Sequence, residues 1–189
     1  MVATDPGMSM NKKTLLMASV SLALGLVLLT RPAPAAAEEP HGPNWLSVVY
    51  HEEITIAASP ATIFGVILDL AHYGEWNPWL THAEGQMVEG GSVTVQVVLN
   101  GQTQTAEHTV IKVEPYTRFC WKDAGWTTIF APGQRCRTLT VKADGTVRFV
   151  NETIIDGLLA HLVDLTTGAS LRAGMQAENA GLKQRAESL

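Results

Sequence analysis

Residues Asp69–Trp79 read DLAHYGEWNPW. The stretch places His72, Tyr73, Trp76 and Trp79 within eight positions of a chain that has only 5 Trp and 3 Tyr. Aromatic side chains so close together need a large apolar space to fill. No second helix stands beside them in the sequence, so the stretch reads as one wall of an internal cavity, with a sheet and a lid to come from elsewhere. Just upstream, Ser59-Pro60 opens a helix: the serine caps free N–H groups and proline suits the first turn. Ile63, Phe64, Ile67, Leu68 and Leu70 recur at helical spacing and give it one buried face. Gly74 breaks this helix, and Glu75–Leu80 forms a second short helix or turn that Pro78 limits.

Outward from the stretch, strand patterns dominate. Before it, Leu46–Ala57 alternates around Val48, Tyr50, Ile54 and Ile56. After it, Gly85 and Gly90-Gly91 bracket a loop, and Ser92–Leu99 puts Val93, Val95 and Val97 on one face. Asn100-Gly101 is a hairpin signal. Thr103–Glu114 follows, with Thr109, Ile111 and Val113 on one face, and then come Arg118–Asp123, Arg135–Lys142 and Thr146–Ile155. A longer loop, Gly125–Gly133, carries Trp126, Phe130 and Pro132. Asp156–Glu187 is helical, with Ile155, Leu158, Leu159, Leu162 and Val163 as its apolar face. Gly168, Gly174 and Gly181 interrupt it, each at about 1 kcal/mol relative to Ala. A long helix with three glycines bends or meets something at close range. The order is one strand, two short helices, about six antiparallel strands and a long helix: an α+β chain whose sheet must be covered on one face by that last helix.

The N-terminal part belongs to a different class. Lys12-Lys13, the uncharged run Thr14–Thr30 and Ala35-Ala36-Ala37 read as an export signal over residues 1–37. The apolar run is short of the roughly 20 residues a membrane span needs, and an uncleaved N-terminal membrane anchor is the alternative. The expected destination is the periplasm or the exterior. Residues 38–45 read as a polar, Pro-containing linker. Cleavage after residue 37 reduces 13 Lys and Arg to 10, and 18 Asp and Glu to 17, a formal net charge of −7. That balance, with no basic patch, opposes binding to a phosphate backbone and argues against nucleic acid as a partner. In an oxidising compartment the two cysteines, Cys120 and Cys136, permit a disulfide. Strand parity turns both toward water, with Lys122 and Lys142, on neighbouring strands. A cross-strand disulfide and two unpaired thiols both fit.

Four segments in order, SPATIFGVILDLAHYGEWNPW (59–79), FCWKD (119–123), VRFVNETIIDGLL (147–159) and ENAGLKQRAES (178–188), resemble the START-like, helix-grip proteins of the SRPBCC superfamily. Within them the chain is most similar to the polyketide cyclase/dehydrase and lipid-transport group. The resemblance covers about residues 46–188. It implies a seven-stranded antiparallel sheet curved around the long C-terminal helix, with a deep cavity between them. Relatives bind lipids, sterols, polyketides or hormones, and some catalyse cyclisation or dehydration. The export signal departs from the many intracellular members and argues against a role in intracellular polyketide assembly.

The candidate ligand wall comprises Trp76 and Trp79, which project from one side of a helical turn, and Trp121, which shares parity with Phe119 and faces the sheet interior. One of the first two, Trp79, is read as the ligand contact and the other as core. Trp126 and Phe130 mark the loop as a gate to the cavity. Arg135 and Arg137 share parity with Leu139 and Val141, so a guanidinium points inward and needs a partner there. Glu107 and Glu152 are the candidates. Arg137 either holds a ligand carboxylate or carbonyl, reaches water, or forms an internal salt bridge. As an enzyme, a cyclase or dehydratase, the protein would use Arg137, Glu152 or His161, the last with Asp164 at i+3 as a helical neighbour. At least two of the three would have to converge in the cavity. His72 and His82 match no metal motif, and no phosphate loop, serine elbow or zinc set occurs. No metal or cofactor is expected. The functional expectation is an exported protein holding a small hydrophobic ligand.

Overall fold

The computed structural model describes residues 38–189, with the backbone alone for Trp126 and Thr127. The expected export signal, residues 1–37, lies outside the described residues. Seven strands form one antiparallel sheet: β1 (Val48–Ile56), β2 (Leu80–Gly85), β3 (Ser92–Leu99), β4 (Gln102–Glu114), β5 (Arg118–Asp123), β6 (Gly133–Val141) and β7 (Val147–Ile155). Their order is β1-β7-β6-β5-β4-β3-β2, so every connection but one joins neighbours. That one runs from β1 to β2 at the opposite edge, through α1 (Pro60–Leu68), a 3₁₀ turn (Leu70–His72) and the single-turn α2 (Tyr73–Trp76). The chain closes with α3 (Ala160–Glu187), which packs along the inner face. This is the helix-grip architecture.

Local chemistry explains the joints. Ser59 Oγ accepts from Thr62 N at 3.0 Å and caps α1, whose first residue is Pro60. Asn100 and Gly101 both have positive φ, 50° and 75°, as a two-residue hairpin between β3 and β4 requires. Asn77 Oδ1 accepts from the N–H groups of Trp79 and Leu80 at 3.1 and 2.8 Å, turning the chain from α2 into β2.

Two of the three glycines of α3 meet the aromatic stretch. A Cβ on Gly181 would lie 2.0 Å from the Trp76 carbonyl oxygen, and one on Gly174 would lie 2.4 Å from the Trp79 indole nitrogen. The helix tolerates glycine there because the 69–79 segment lies against its backbone.

Four expectations are corrected. The apolar face assigned to the start of α3 is buried only at its ends: Ile155 is buried and Val163 packs partly on the core, but Leu158, Leu159 and Leu162 are exposed. The helix begins only at Ala160, and its buried stripe runs through Gly168, Met175, Glu178, Asn179, Leu182 and Ala186. β4 does not keep one face, because a register shift between Val110 and Lys112 divides it. His108 and Val110 are therefore buried, Val113 packs on the main core, and Ile111 joins the two cysteines in a separate cluster. Val141, at the end of β6, is exposed. Finally, Cys120 and Cys136 are direct cross-strand partners joined in a disulfide, but they are buried rather than turned to water. Residues 38–45 account for this. They carry no regular structure, yet Glu38 pairs with Lys122, Glu39 with Lys112 at 2.8 Å, and His41 exchanges two backbone hydrogen bonds with the Gln134 side chain, each 3.0 Å. These anchors flank the disulfide on the outer face of the sheet.

Candidate functional site: a cavity between sheet and helix

A cavity of about 610 Å³ opens between the inner face of the sheet and α3. Small-molecule sites span roughly 300–1,000 Å³. Trp79, Val95, Val97 and Leu171 supply apolar wall, Trp121 and Arg135 one side, and Ala124, Gly125 and Gly133 bound it near the 125–133 loop. Strand alternation explains the lining. Trp121 and Arg135 are cross-strand partners, as are Val95 and Ala106, and all four point to the concave face.

Behind Arg135 lies a buried ion cluster. Arg137 Nε and Nη2 donate to Glu178 Oε1 at 3.0 and 2.8 Å, and Arg135 Nη2 donates to Glu178 Oε2. Arg135 Nε donates to Asn151 Oδ1 at 2.8 Å, and Asn151 Nδ2 donates to Asn179 Oδ1 at 3.0 Å. Side-chain exposures are 6% for Arg135, 0% for Arg137 and 1% for Glu178. Burial alone would raise the Glu178 carboxyl; the two guanidiniums outweigh it and hold the group below the usual carboxylate range. Burial brings Arg135 down to about 10. Tyr73, wholly buried and donating to the Ile67 carbonyl at 2.6 Å, is pushed up to about 12 by the same cause.

Aromatic faces complete the arrangement. The Arg135 guanidinium lies 4.4 Å from the Trp79 ring centre, and that of Arg137 lies 4.3 Å from the Trp121 ring. On β4, the His108 imidazole stacks on Trp121 at 4.6 Å with the planes 3° apart. His108 Nδ1 is 3.1 Å from Asp123 Oδ1. The atoms are close but not aligned for a hydrogen bond.

Trp79 and Trp121 line the cavity, whereas Trp76 is buried against Tyr73 and borders a smaller cleft of about 170 Å³ between α1 and the end of α3. Phe130 is exposed beside the mouth and does not line it. The Trp126 side chain lies outside the described residues. Arg137 is in an internal salt bridge, but its partner is Glu178, neither Glu107 nor Glu152. Glu152 faces outward, opposite Cys136, and lies 3.1 Å from His51. His161 is on the exposed side of α3. Arg137, Glu152 and His161 therefore do not converge. Glu178, Asn151, His108 and Asp123 were missed. The signal for Glu178 was available: it lies three residues after Met175 and four before Leu182, on the buried stripe, opposite two inward-pointing arginines with no partner.

The model described as polyketide cyclase/dehydrase and lipid transport matches residues 47–187. The chain belongs to this family. No curated protein matches it in sequence. Among solved structures it is similar to the di-domain aromatase/cyclase StfQ of the steffimycin biosynthetic pathway, at 14% identity and TM-score 0.62 over 76% of this chain. It spans about half, 51%, of that longer protein. It is similar also to the ZhuI aromatase/cyclase from Streptomyces sp. R1128 (13% identity, TM-score 0.64, 75% of this chain and 94% of that one). A third likeness is a START superfamily protein from Mycobacterium smegmatis (14% identity, TM-score 0.55, 72% and 97%). At these identities the likeness is one of START-like fold. Among the described residues, no helix is long and apolar enough to cross a membrane.

Proposed function

We propose that this family member is an exported binding protein that holds a small hydrophobic ligand between the sheet and α3. The observation that carries the reading is the cavity of about 610 Å³, walled by Trp79, Trp121, Val95, Val97 and Leu171. The two tryptophans and the aliphatic side chains favour an apolar body, while His108, Arg135 and Thr153 add polar groups to the wall. Support for export is the Lys12-Lys13, Thr14–Thr30 and Ala35-Ala36-Ala37 pattern in the sequence. Nile red, a neutral apolar dye, is expected to bind with enhanced fluorescence at one site per chain. Ala106→Trp, which builds an indole into the cavity from a half-buried strand position, is expected to abolish that signal while the protein remains folded. Equal dye binding by both proteins would refute the cavity as the site.

A second reading is a cyclase- or dehydratase-like enzyme. It is favoured by the His108–Asp123 pair, since both residues border the same cavity. A histidine beside a carboxylate is suited to move a proton at a bound carbonyl compound. Conversion of a linear poly-β-ketone by the wild type, lost in His108→Ala without loss of Nile red binding, would support it. No conversion by the wild type would leave the binding role alone.

A further inference from the structure

The buried cluster is unbalanced: Arg135 and Arg137 carry two positive charges and Glu178 one negative charge. All three are at least nine-tenths buried. A buried charge without a counter-charge is costly, so such clusters are normally closed by a further partner. Arg137 does not line the cavity: its Nε and Nη2 are taken by Glu178, its face lies on Trp121, and its Nη1 is buried without a partner away from the cavity wall. Arg135 does line it. Its Nε and Nη2 are used by Asn151 and Glu178, and its Nη1 has no hydrogen-bond partner among the described residues. Directly across the β6–β7 ladder is Thr153, which also lines the cavity and whose Oγ1 is buried without a partner. Cross-strand neighbours on one face lie about 5 Å apart at Cβ. One charged donor and one hydroxyl therefore stand side by side at the cavity wall, neither with a hydrogen-bond partner among the described residues. Glu107 and Asp123 also border the cavity, but both are exposed, and Asp123 faces His108. Neither forms an ion pair with Arg135.

We propose that the cavity is built for an amphipathic anion: a carboxylate or equivalent acidic head accepts from Arg135 and Thr153, and its apolar body lies along Trp79 and Trp121. This rests on the binding reading above and adds the chemical class of the ligand. The guanidinium already fixed by Asn151, Glu178 and the Trp79 face is pre-oriented, so little side-chain freedom is lost when an anion binds. The exposed rim carboxylates are screened by solvent, whereas the buried guanidinium acts through a low-dielectric wall.

The test compares ligands of one chain length, dodecanoate, dodecanol and dodecylamine, as displacers of Nile red at pH 8. Dodecanoate is expected to bind the wild type about tenfold or more tighter than dodecanol, as a charge-assisted hydrogen bond implies, with the amine weakest. Arg135→Gln should bring dodecanoate to the level of dodecanol while dye binding persists. Arg135 also supports Glu178, so Thr153→Val provides a variant that leaves the cluster whole; it should reduce the acid-over-alcohol preference by about fivefold. Dye binding by the wild type with no preference for acid over alcohol overturns the anion site and leaves the cavity reading intact. Absence of dye binding overturns the cavity reading itself.

Discussion

Replacing Glu178 by Gln probes the centre of the fold with the smallest change of shape. The substitution keeps the volume and removes the only carboxylate among the described residues that pairs with Arg135 and Arg137. Three donors lose a charged acceptor: Arg135 Nη2, Arg137 Nε and Arg137 Nη2. Two guanidiniums, 6% and 0% exposed, are left without an anion. Breaking a buried pair by removing one partner costs about 3–5 kcal/mol. For a domain of this size each kcal/mol lowers Tm by roughly 2–4 °C, so the variant should melt roughly 6–20 °C below the wild type. The pH dependence has a definite sign. The folded-state pKa of Glu178 lies below its ordinary value of 4.5, so the unfolded chain binds the extra proton first. The stabilisation is complete above pH about 4.5 and is lost as pH falls through the folded pKa. Urea unfolding of both proteins at pH 7 and over a descending series should show a large gap at neutral pH that narrows in acid. An equal urea midpoint at pH 7, or a gap that widens in acid, would refute the claim that Glu178 neutralises the arginines.

Other predictions concern the helix face, the outer face and the N-terminus. Gly181→Ala would drive a methyl into the Trp76 carbonyl oxygen, 2.0 Å from the built Cβ. It should lower stability by about 1–3 kcal/mol in urea unfolding, whereas Gly65→Ala in α1, with nothing within 4 Å, should raise it by about 0.5–1 kcal/mol. Ellman titration of unfolded, unreduced protein should find no free thiol. The Cys120→Ala/Cys136→Ala double variant, which opens a loop with a sequence separation of 16, should lose about 3 kcal/mol. N-terminal sequencing of protein recovered from its own host should begin near Glu38; an intact residue 14–30 segment would favour the anchored form.

Much of the fold was legible because its signals were local. Ser59-Pro60, Asn100-Gly101 and the alternation of Val93, Val95 and Val97 each depend on neighbours in the chain, and each is where the structure has it. β2 was missed for a physical reason. LTHAEG buries only Leu80 and Ala83, three apart, and its ladder with β3 shifts register between Leu80 and His82. An irregular edge strand has no period of two to detect. β4 was misread by the same mechanism: the bulge after Val110 reverses parity, so a face inferred from Ile111 hid His108. The leucines before and at the start of α3 were misassigned because spacing alone does not say where a helix begins.

The site was legible only in half. Inward parity placed Arg135 and Arg137, and the need for a counter-charge was evident from it. Their partner, however, is distant in sequence: Glu178 is 43 and 41 residues away. A glutamate within ENAGLKQRAES resembles a solvated helix residue until α3 is laid in the sheet. What orients α3 is again the aromatic stretch, since Gly174 and Gly181 fit against Trp79 and Trp76 on either side of Glu178. Rotation of the helix about its axis would withdraw the carboxylate and drive backbone into the indole. The 69–79 segment thus supplies Trp79 to the cavity wall and sets the angle at which Glu178 meets the two arginines. A variant that loosens this packing should disturb the ion cluster even where it touches no charged residue.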